Sequence, residues 1–314
     1  MRGGSADRSF LTNRPLSRIR RSAASRAQLR AGLDRLYAGY NRDNSAADPI
    51  QIVRRYPETA DREIVGFCAA GLAFGRVRSV LASLESLLAL MEPSPFRFIR
   101  TFDPIIERRR LRGLGHRWVR DVDIVALLWI LRQMVDRNGS IEGFFAEGID
   151  DSATPVVHAL ESFCVRAMAL DVSRAYGRVP RAPGVRYFFP RPSTGSACKR
   201  LNLFLRWMVR RDELDPGGWS SLTPSALIVP LDVHVMRVGR CLGLTPTAPR
   251  AGEWQRQSRT PYGTSMRAIP SGMTSRFVIL GWRVLADSSA GKRTLSVRFE
   301  VCVNRFLVDD GRCD

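Results

Sequence analysis

Only two of the 49 basic side chains in this 314-residue sequence are lysines, and Lys199 is the sole lysine among the first 291 residues. Every other positive charge before Lys292 is an arginine, as a GC-rich coding sequence favours. The two side chains differ chemically. A guanidinium stays protonated and is no nucleophile, whereas an amine loses its proton when buried or beside another cation, and can then form a Schiff base. Rarity alone leaves a second account open, in which Lys199 is a chance survivor or a phosphate contact. A carboxylate able to serve such an amine follows 33 positions later, at Asp232. It closes the apolar run Leu227–Leu231 and precedes a helical pattern with Val235, Val238 and Leu242 on one face, ended by Gly243. That is the place of an N-cap, and a capping aspartate can still project into a cleft.

Around Lys199 the run Ser193-Thr194-Gly195-Ser196 is turn-forming and leads into a helix beginning near Cys198. Leu201, Phe204, Leu205 and Met208 share one face of that helix at i, i+3, i+4, i+7. Arg200, Arg206, Arg210 and Arg211 are expected to leave by other faces. Lys199 falls in the first turn, where unpaired backbone amides and the helix dipole attract a phosphate. An ordinary helix start is the alternative account.

Gly195-Ser196-Ala197-Cys198-Lys199 resembles the hairpin of the helix-hairpin-helix DNA glycosylases, usually G-V-G-R-K, with Ala197 in place of the second glycine. Leu231-Asp232-Val233-His234-Val235, followed by Arg237, Arg240 and Leu242-Gly243, resembles that superfamily's V-D-T-H-V…R…R…L-G. The Lys–Asp separation looks more like the archaeal 8-oxoguanine glycosylase branch than the common members. A closer likeness is to an uncharacterised bacterial family of unknown function. It is carried by LDRLYAGYN…DPIQIVRRYPETADREIVGFCAAGLAFGRV, GSACKRLNLFLRWMVR and PLD-x-HV, and covers about residues 29–245.

The glycosylase resemblance implies an all-α, helix-hairpin-helix DNA glycosylase-like helical bundle. It implies that Lys199 attacks C1′ of a deoxyribose, expels a damaged base and forms a Schiff base that permits strand β-elimination. Asp232 would activate the amine and stabilise the cationic sugar. Amides near Gly195, Ser196 and Ala197 would hold a phosphate, and Arg200, Arg206, Arg210, His234 and Arg237 would contact duplex DNA. A flipped base needs an aromatic or apolar pocket. Phe188, Phe189, Phe204, Trp207 and Trp219 are the candidates, each with an ordinary account as a core residue. No cofactor and no metal are implied. The competing reading is a non-catalytic DNA-binding protein of the same fold, and an inactive product of a damaged gene is compatible with either.

The elements that must position these residues read as helices. A helical pattern runs from Leu29 to Tyr40, and Asp48-Pro49 opens a new segment. Thr59 or Asp61 is expected to cap a helix reaching about Phe74, in which Gly66 and Gly71 predict close helix–helix approach. Val77, Val80, Leu81, Leu84, Leu87, Leu88 and Met91 form one buried stripe, ended by Glu92-Pro93. Asp121 or Asp123 is expected to cap a helix through Asp136, stopped by Asn138-Gly139. Thr154-Pro155 starts another, with Val156, Leu160, Phe163, Cys164, Ala167 and Leu170 facing inward. The total is eight to ten helices in a domain spanning 28–246, preceded by a disordered basic arm over 1–27.

A formal charge of +19 on a chain with 45% hydrophobic content favours polyanionic partners, meaning DNA, RNA or anionic lipid. No run of 18 apolar residues exists, so no membrane span is expected. The basic N-terminal stretch lacks the apolar core of a secretory signal. Six scattered cysteines, none in CxxC and none at ligand spacing with the three histidines, read as reduced thiols. The compartment expected is the cytoplasm, at the nucleoid, with no metal cluster.

After about Thr245 the helical periodicity stops. The codons for Ile269–Arg276, entered from the last base of Ala268, can encode DPVRYDFA, and the same shift through Trp282 permits LCHLG. DPVRYDFALCHLG resembles the C-terminal helix of the same uncharacterised family. The alternation of Leu295, Val297, Phe299 and Val301 would suit a strand, but with no evident partner. Residues 247–314 therefore read as a frameshifted, poorly structured tail, with a divergent native tail as the alternative. Such a tail evolved no packing against the core. Limited proteolysis should remove it rapidly, and a one-base correction between codons 245 and 254 should raise solubility. Slow hydrogen exchange through 269–308 would instead make the tail a genuine element.

Overall fold

A computed structural model describes Ala31, Gly32, Asp34 and residues 48–152 and 155–228. The basic arm, the tail, Thr154 and the segment carrying Asp232, His234 and Arg237 lie outside the described residues. From residue 48 on, the described residues form ten α-helices with three short 3-10 turns and no strand, only two isolated bridges. The all-α expectation holds among the described residues.

The helices are α1 (Ile50–Arg54), α2 (Thr59–Leu72), α3 (Val77–Leu88), α4 (Pro95–Thr101), α5 (Pro104–Glu107), α6 (Asp121–Asn138), α7 (Ile141–Ala146), α8 (Pro155–Met168), α9 (Ser173–Tyr176) and α10 (Lys199–Val209). Helix α2 is the hub, touching α1, α3, α4, α7 and α10. Eleven of its residues, Asp61 and Glu63–Leu72, are buried, so it has no wet face. Its sequence explains how five neighbours fit: Gly66, Cys68, Ala69, Ala70 and Gly71 leave a thin rod. A Cβ on Gly66 would lie 3.1 Å from Met208 Cε, and one on Gly71 would lie 2.8 Å from Phe188 Cδ1. Both glycines thus mark close approach, as their positions in the sequence predict.

The stripe on α3 buries Val80, Leu84, Leu87 and Leu88, with Met91 just beyond. Helix α6 stops at Gly139, which is left-handed (φ 75°). The expected caps differ in detail. The N-cap of α2 is Glu58 and that of α6 is Arg120. Asp61 instead accepts Ser94 Oγ–H at 2.7 Å and Phe96 N–H at 2.8 Å, tying α4 to α2. Asp123 accepts Arg120 N–H at 3.2 Å and Tyr176 O–H at 2.6 Å. In both cases a carboxylate on the inner face of its helix finds tertiary donors.

Glu63 is the deepest such group. Its two oxygens accept Ile141 N–H at 3.1 Å and Glu142 N–H at 2.9 Å, so a carboxyl on α2 caps the start of α7. Glu142 then accepts Ser220 N–H and Ser221 N–H at 2.6 and 2.7 Å, fastening the segment after α10. Burial pushes the Glu63 carboxyl up to about 7, against the opposing pull of the two amides. Between pH ~4.5 and ~7 the folded chain holds a proton that the unfolded chain has released. Glu63 therefore contributes stability that is complete below pH ~4.5 and is lost, to the extent of about 3 kcal/mol, as pH rises to ~7. Urea unfolding followed by tryptophan fluorescence should show this decline. Glu63→Ala should flatten it and, by stranding two amides, lower stability at pH 5 by about 2 kcal/mol or more. A pH response unchanged in the variant would sink the assignment.

Candidate functional site

Lys199 is the first residue of α10 and is exposed. The chain reaches it through V-P-R-A-P-G-V-R-Y-F-F-P-R-P, whose prolines prevent a long helix. The element before the hairpin is consequently a single 3-10 turn, Gly184–Phe188, rather than a second full α-helix. A further 3-10 turn, Pro192–Thr194, ends at Gly195, which is left-handed (φ 78°). Cys198, the N-cap of α10, is left-handed too (φ 45°).

Three groups hold this hairpin. Glu161 on α8 accepts Arg191 Nε–H at 2.6 Å, Ser193 N–H at 2.9 Å and Ser193 Oγ–H at 2.8 Å. The Cys164 and Cys198 thiols both donate to Pro190 O, at 3.2 and 3.1 Å. Asn202 Nδ2 donates to Ala197 O at 3.2 Å and Cys198 O at 3.1 Å. Gly195 N–H is used internally, on Pro192 O, and Cys198 N–H is used on Ser196 Oγ. Neither is therefore a phosphate donor as it stands. Among the described residues, the amides left for an anion are those of Ser196, Ala197 and the first turn of α10.

The other residues picked from the sequence are placed differently from one another. Arg206 and Arg210 are buried, because α10 is enclosed on all sides from Leu201 to Val209. Arg206 Nε lies 2.9 Å from the buried Asp215, Arg210 Nε lies 3.5 Å from it, and Arg210 also pairs with Asp212. Arg200 donates to Gly71 O at 2.9 Å and Tyr187 O at 2.6 Å, and its guanidinium lies 3.5 Å from the Tyr187 ring centroid. The three arginines are internal clamps in this state, and of the four arginines named from the sequence only Arg211, just beyond α10, is exposed.

The five aromatics form core. Phe188, Phe189, Phe204, Trp207 and Trp219 are all buried. Phe67 of α2 packs at 5.2 Å on Phe204 and 5.6 Å on Phe189, and Phe204 stands edge-on to Trp219 at 5.2 Å. They fill the space between α2, α8 and α10 instead of lining an open cleft.

A different aromatic is on the surface. Trp118 is 57% exposed and sits in the arginine-rich stretch Arg108–Arg120, RRRLRGLGHRWVR. Six arginines with no acidic residue, and a tryptophan among them, is a legible signal for polyanion contact that the motif around Lys199 overshadowed. Among the described residues no group of three potential ligands could hold a metal, and no helix is long and apolar enough to cross a membrane.

The chain belongs to the family described as "Protein of unknown function (DUF2400)", whose model matches residues 48–258. That span covers the hub helix, the hairpin and Lys199. No curated protein and no solved structure matches the chain.

The placements separate structural charges from an available one. Asp215→Ala strands Arg206 in the core and should cost about 3–5 kcal/mol in denaturant unfolding. Lys199→Ala and Arg211→Ala, both exposed, should change stability by no more than about 0.5 kcal/mol. A loss at Lys199 comparable with that at Asp215 would make Lys199 a structural residue.

Proposed function

We propose that this member of the family is a DNA-binding, base-excision-repair-like protein with a helix-hairpin-helix glycosylase-like fold, acting as a DNA glycosylase with AP lyase activity. The observation that carries the reading is Lys199, the one lysine in an arginine-only region. It is exposed at the first position of a helix whose preceding hairpin is fixed from three sides. In the reaction the Lys199 amine attacks C1′, the C1′–N glycosidic bond breaks, and the base departs with a proton. Ring opening and loss of the amine proton leave a C1′=N Schiff base. Removal of a C2′ proton then expels the 3′ phosphate. Asp232 is proposed to receive the amine proton and to stabilise the cationic sugar. Amides of Ser196, Ala197 and the first turn of α10 hold a phosphate beside the lysine, and no metal or cofactor takes part in these steps.

A second reading, DNA binding without catalysis, is favoured by two details of the hairpin. Ala197 stands where the glycosylase pattern has a glycine, and the Gly195 amide is turned inward.

The experiment is borohydride trapping with the full chain on duplexes carrying an abasic site or a panel of damaged bases. Borohydride reduces the C=N bond and leaves a covalent protein–DNA adduct. Lys199→Arg should abolish the adduct while DNA affinity, falling steeply with salt, is retained. Trapping that survives Lys199→Arg would exclude this lysine. No adduct on any lesion, with binding intact, would select the second reading. A flat salt response would exclude phosphate contacts.

A further inference from the structure

Arg117 and Trp118 form the tip of a tight turn. His116 and Val119 close it with reciprocal backbone bonds, His116 N–H to Val119 O and Val119 N–H to His116 O, both 2.9 Å. The buried His116 ring locks the turn to the body, with Nδ1 3.0 Å from Ser83 Oγ and Nε2 2.8 Å from Phe74 O. Arg117 is left-handed (φ 56°), a backbone state that costs a non-glycine residue about 1 kcal/mol. Glycine occupies left-handed position 113 four residues earlier, so the chain accommodates an arginine at the tip where the backbone favours glycine.

Trp118 is packed on one side although exposed. Its ring lies 4.6 Å from Phe74 at 30°, and 5.6 Å from Tyr187, edge-on. The Arg117 guanidinium is 5.2 Å from the indole centroid. A large aromatic held rigidly with more than half its surface open loses little entropy when a second flat ring stacks on it.

Positive charge predominates in the stretch 108–120, which contains no acid of its own. Arg110 pairs with Glu107 and Arg120 with Asp123, but Arg109 and Arg117 make no ion pair with a described residue. Asp121, the nearest acid in sequence after the stretch, is engaged by the Gly113 and Val122 amides, and both Arg108 and Arg112 act on it. The Arg117 guanidinium lies against Gly75, next to the exposed Arg76. Tyr187, which packs edge-on against Trp118, is gripped by Arg200, the neighbour of Lys199 in sequence.

We propose that this turn is a DNA contact in which Trp118 stacks on a base lacking a pairing partner, while Arg109 and Arg117 bind the flanking phosphates. The chemistry matches one partner: a flat ring for a base, and unneutralised guanidiniums for the phosphates on either side. The Tyr187–Arg200 link puts the strand so held next to the start of α10. The proposal rests on the reading that the chain binds DNA, and it adds the element that selects distorted DNA.

Binding of the full chain to labelled duplexes, fully paired or carrying one bulged base, tests it by anisotropy across a salt series. The wild type should prefer the bulged duplex by about 10-fold, a typical effect of one base–aromatic stack. Trp118→Ala should remove that preference, and Trp118→Phe should keep most of it. Arg117→Gly, which relieves the left-handed backbone, should weaken binding to both duplexes about equally and make the salt dependence shallower. Lys199→Arg should keep the preference. A preference that survives Trp118→Ala overturns the inference, and leaves the proposed function standing if Lys199 still traps. Absence of DNA binding by the wild type overturns both. Binding to phosphatidylserine vesicles that is lost in Trp118→Ala, with DNA binding unchanged, would make the turn a lipid contact and overturn the inference too.

Discussion

Position 66 admits a hydrogen where any other residue would place a β-carbon 3.1 Å from Met208 Cε and 3.4 Å from Phe204 Cε2. At that distance Met208 Cε would have to give by a few tenths of an ångström, and Met208 and Phe204 lie on the buried face of α10. The contact of α2 with α10 is therefore set by the absence of a side chain. Phe204 then reaches Phe67 and Trp219, and Met208 and Trp207 hold the returning segment through Trp219 N–H and Gly217 N–H on their carbonyls. With α10 fixed in this way, the residue at its first position is fixed as well. Lys199 is presented at the surface by a helix that is otherwise enclosed.

The same economy of space governs the charges. A net charge of +19 invites a picture of arginine covering the exterior. Several of the arginines are instead structural. Arg206 and Arg210 share Asp215 in the core, and Arg200 ties the C-terminal end of α2 to the 184–188 turn through two carbonyls. Guanidinium suits this work because its planar fork of donors serves two acceptors and stacks on a ring at once. The positive charge at the surface is consequently uneven, and it is concentrated where acids are missing, as in residues 108–120.

This explains what the sequence revealed and what it concealed. Stripes such as Val80-Leu84-Leu87-Leu88 are legible because one period repeats over several turns, and Gly66 and Gly71 because no other residue gives that clearance. Lys199 at a helix start was legible from turn chemistry. The roles of Asp61, Asp123, Arg206 and Arg210 were not, since each depends on a donor or acceptor distant in sequence or on how fully a helix is enclosed. Local rules put Asp61 at a cap, whereas its partners are 33 and 35 positions away. Phe188 and Trp219 were equally ambiguous, because an aromatic for a pocket and one for a core look alike without the tertiary frame. Trp118 was the converse case, marked by its arginine neighbours but lying outside any helical period.

The hairpin and the Trp118 turn solve one mechanical problem in two ways. Each presents an exposed side chain, and each uses a non-glycine residue in the left-handed region, Cys198 and Arg117. Strain of about 1 kcal/mol persists only where surroundings over-determine the backbone. Around Cys198 the constraint comes from its thiol on Pro190 O and the amide of Asn202. Around Arg117 it comes from the reciprocal bonds of His116 and Val119 and from the imidazole lodged between Ser83 and Phe74. Tyr187 and Arg200 couple the two, since Tyr187 packs beside Trp118 and its carbonyl holds the residue after Lys199. A displacement of the 184–188 turn would therefore move both tips together. That turn is in turn seated by Asp123, whose carboxylate holds Tyr176 O–H, which receives Val185 N–H at 3.1 Å. The relative placement of Lys199 and Trp118 is thus set by a continuous run of part-buried hydrogen bonds and ring contacts reaching back to α6, more than by the hairpin sequence itself.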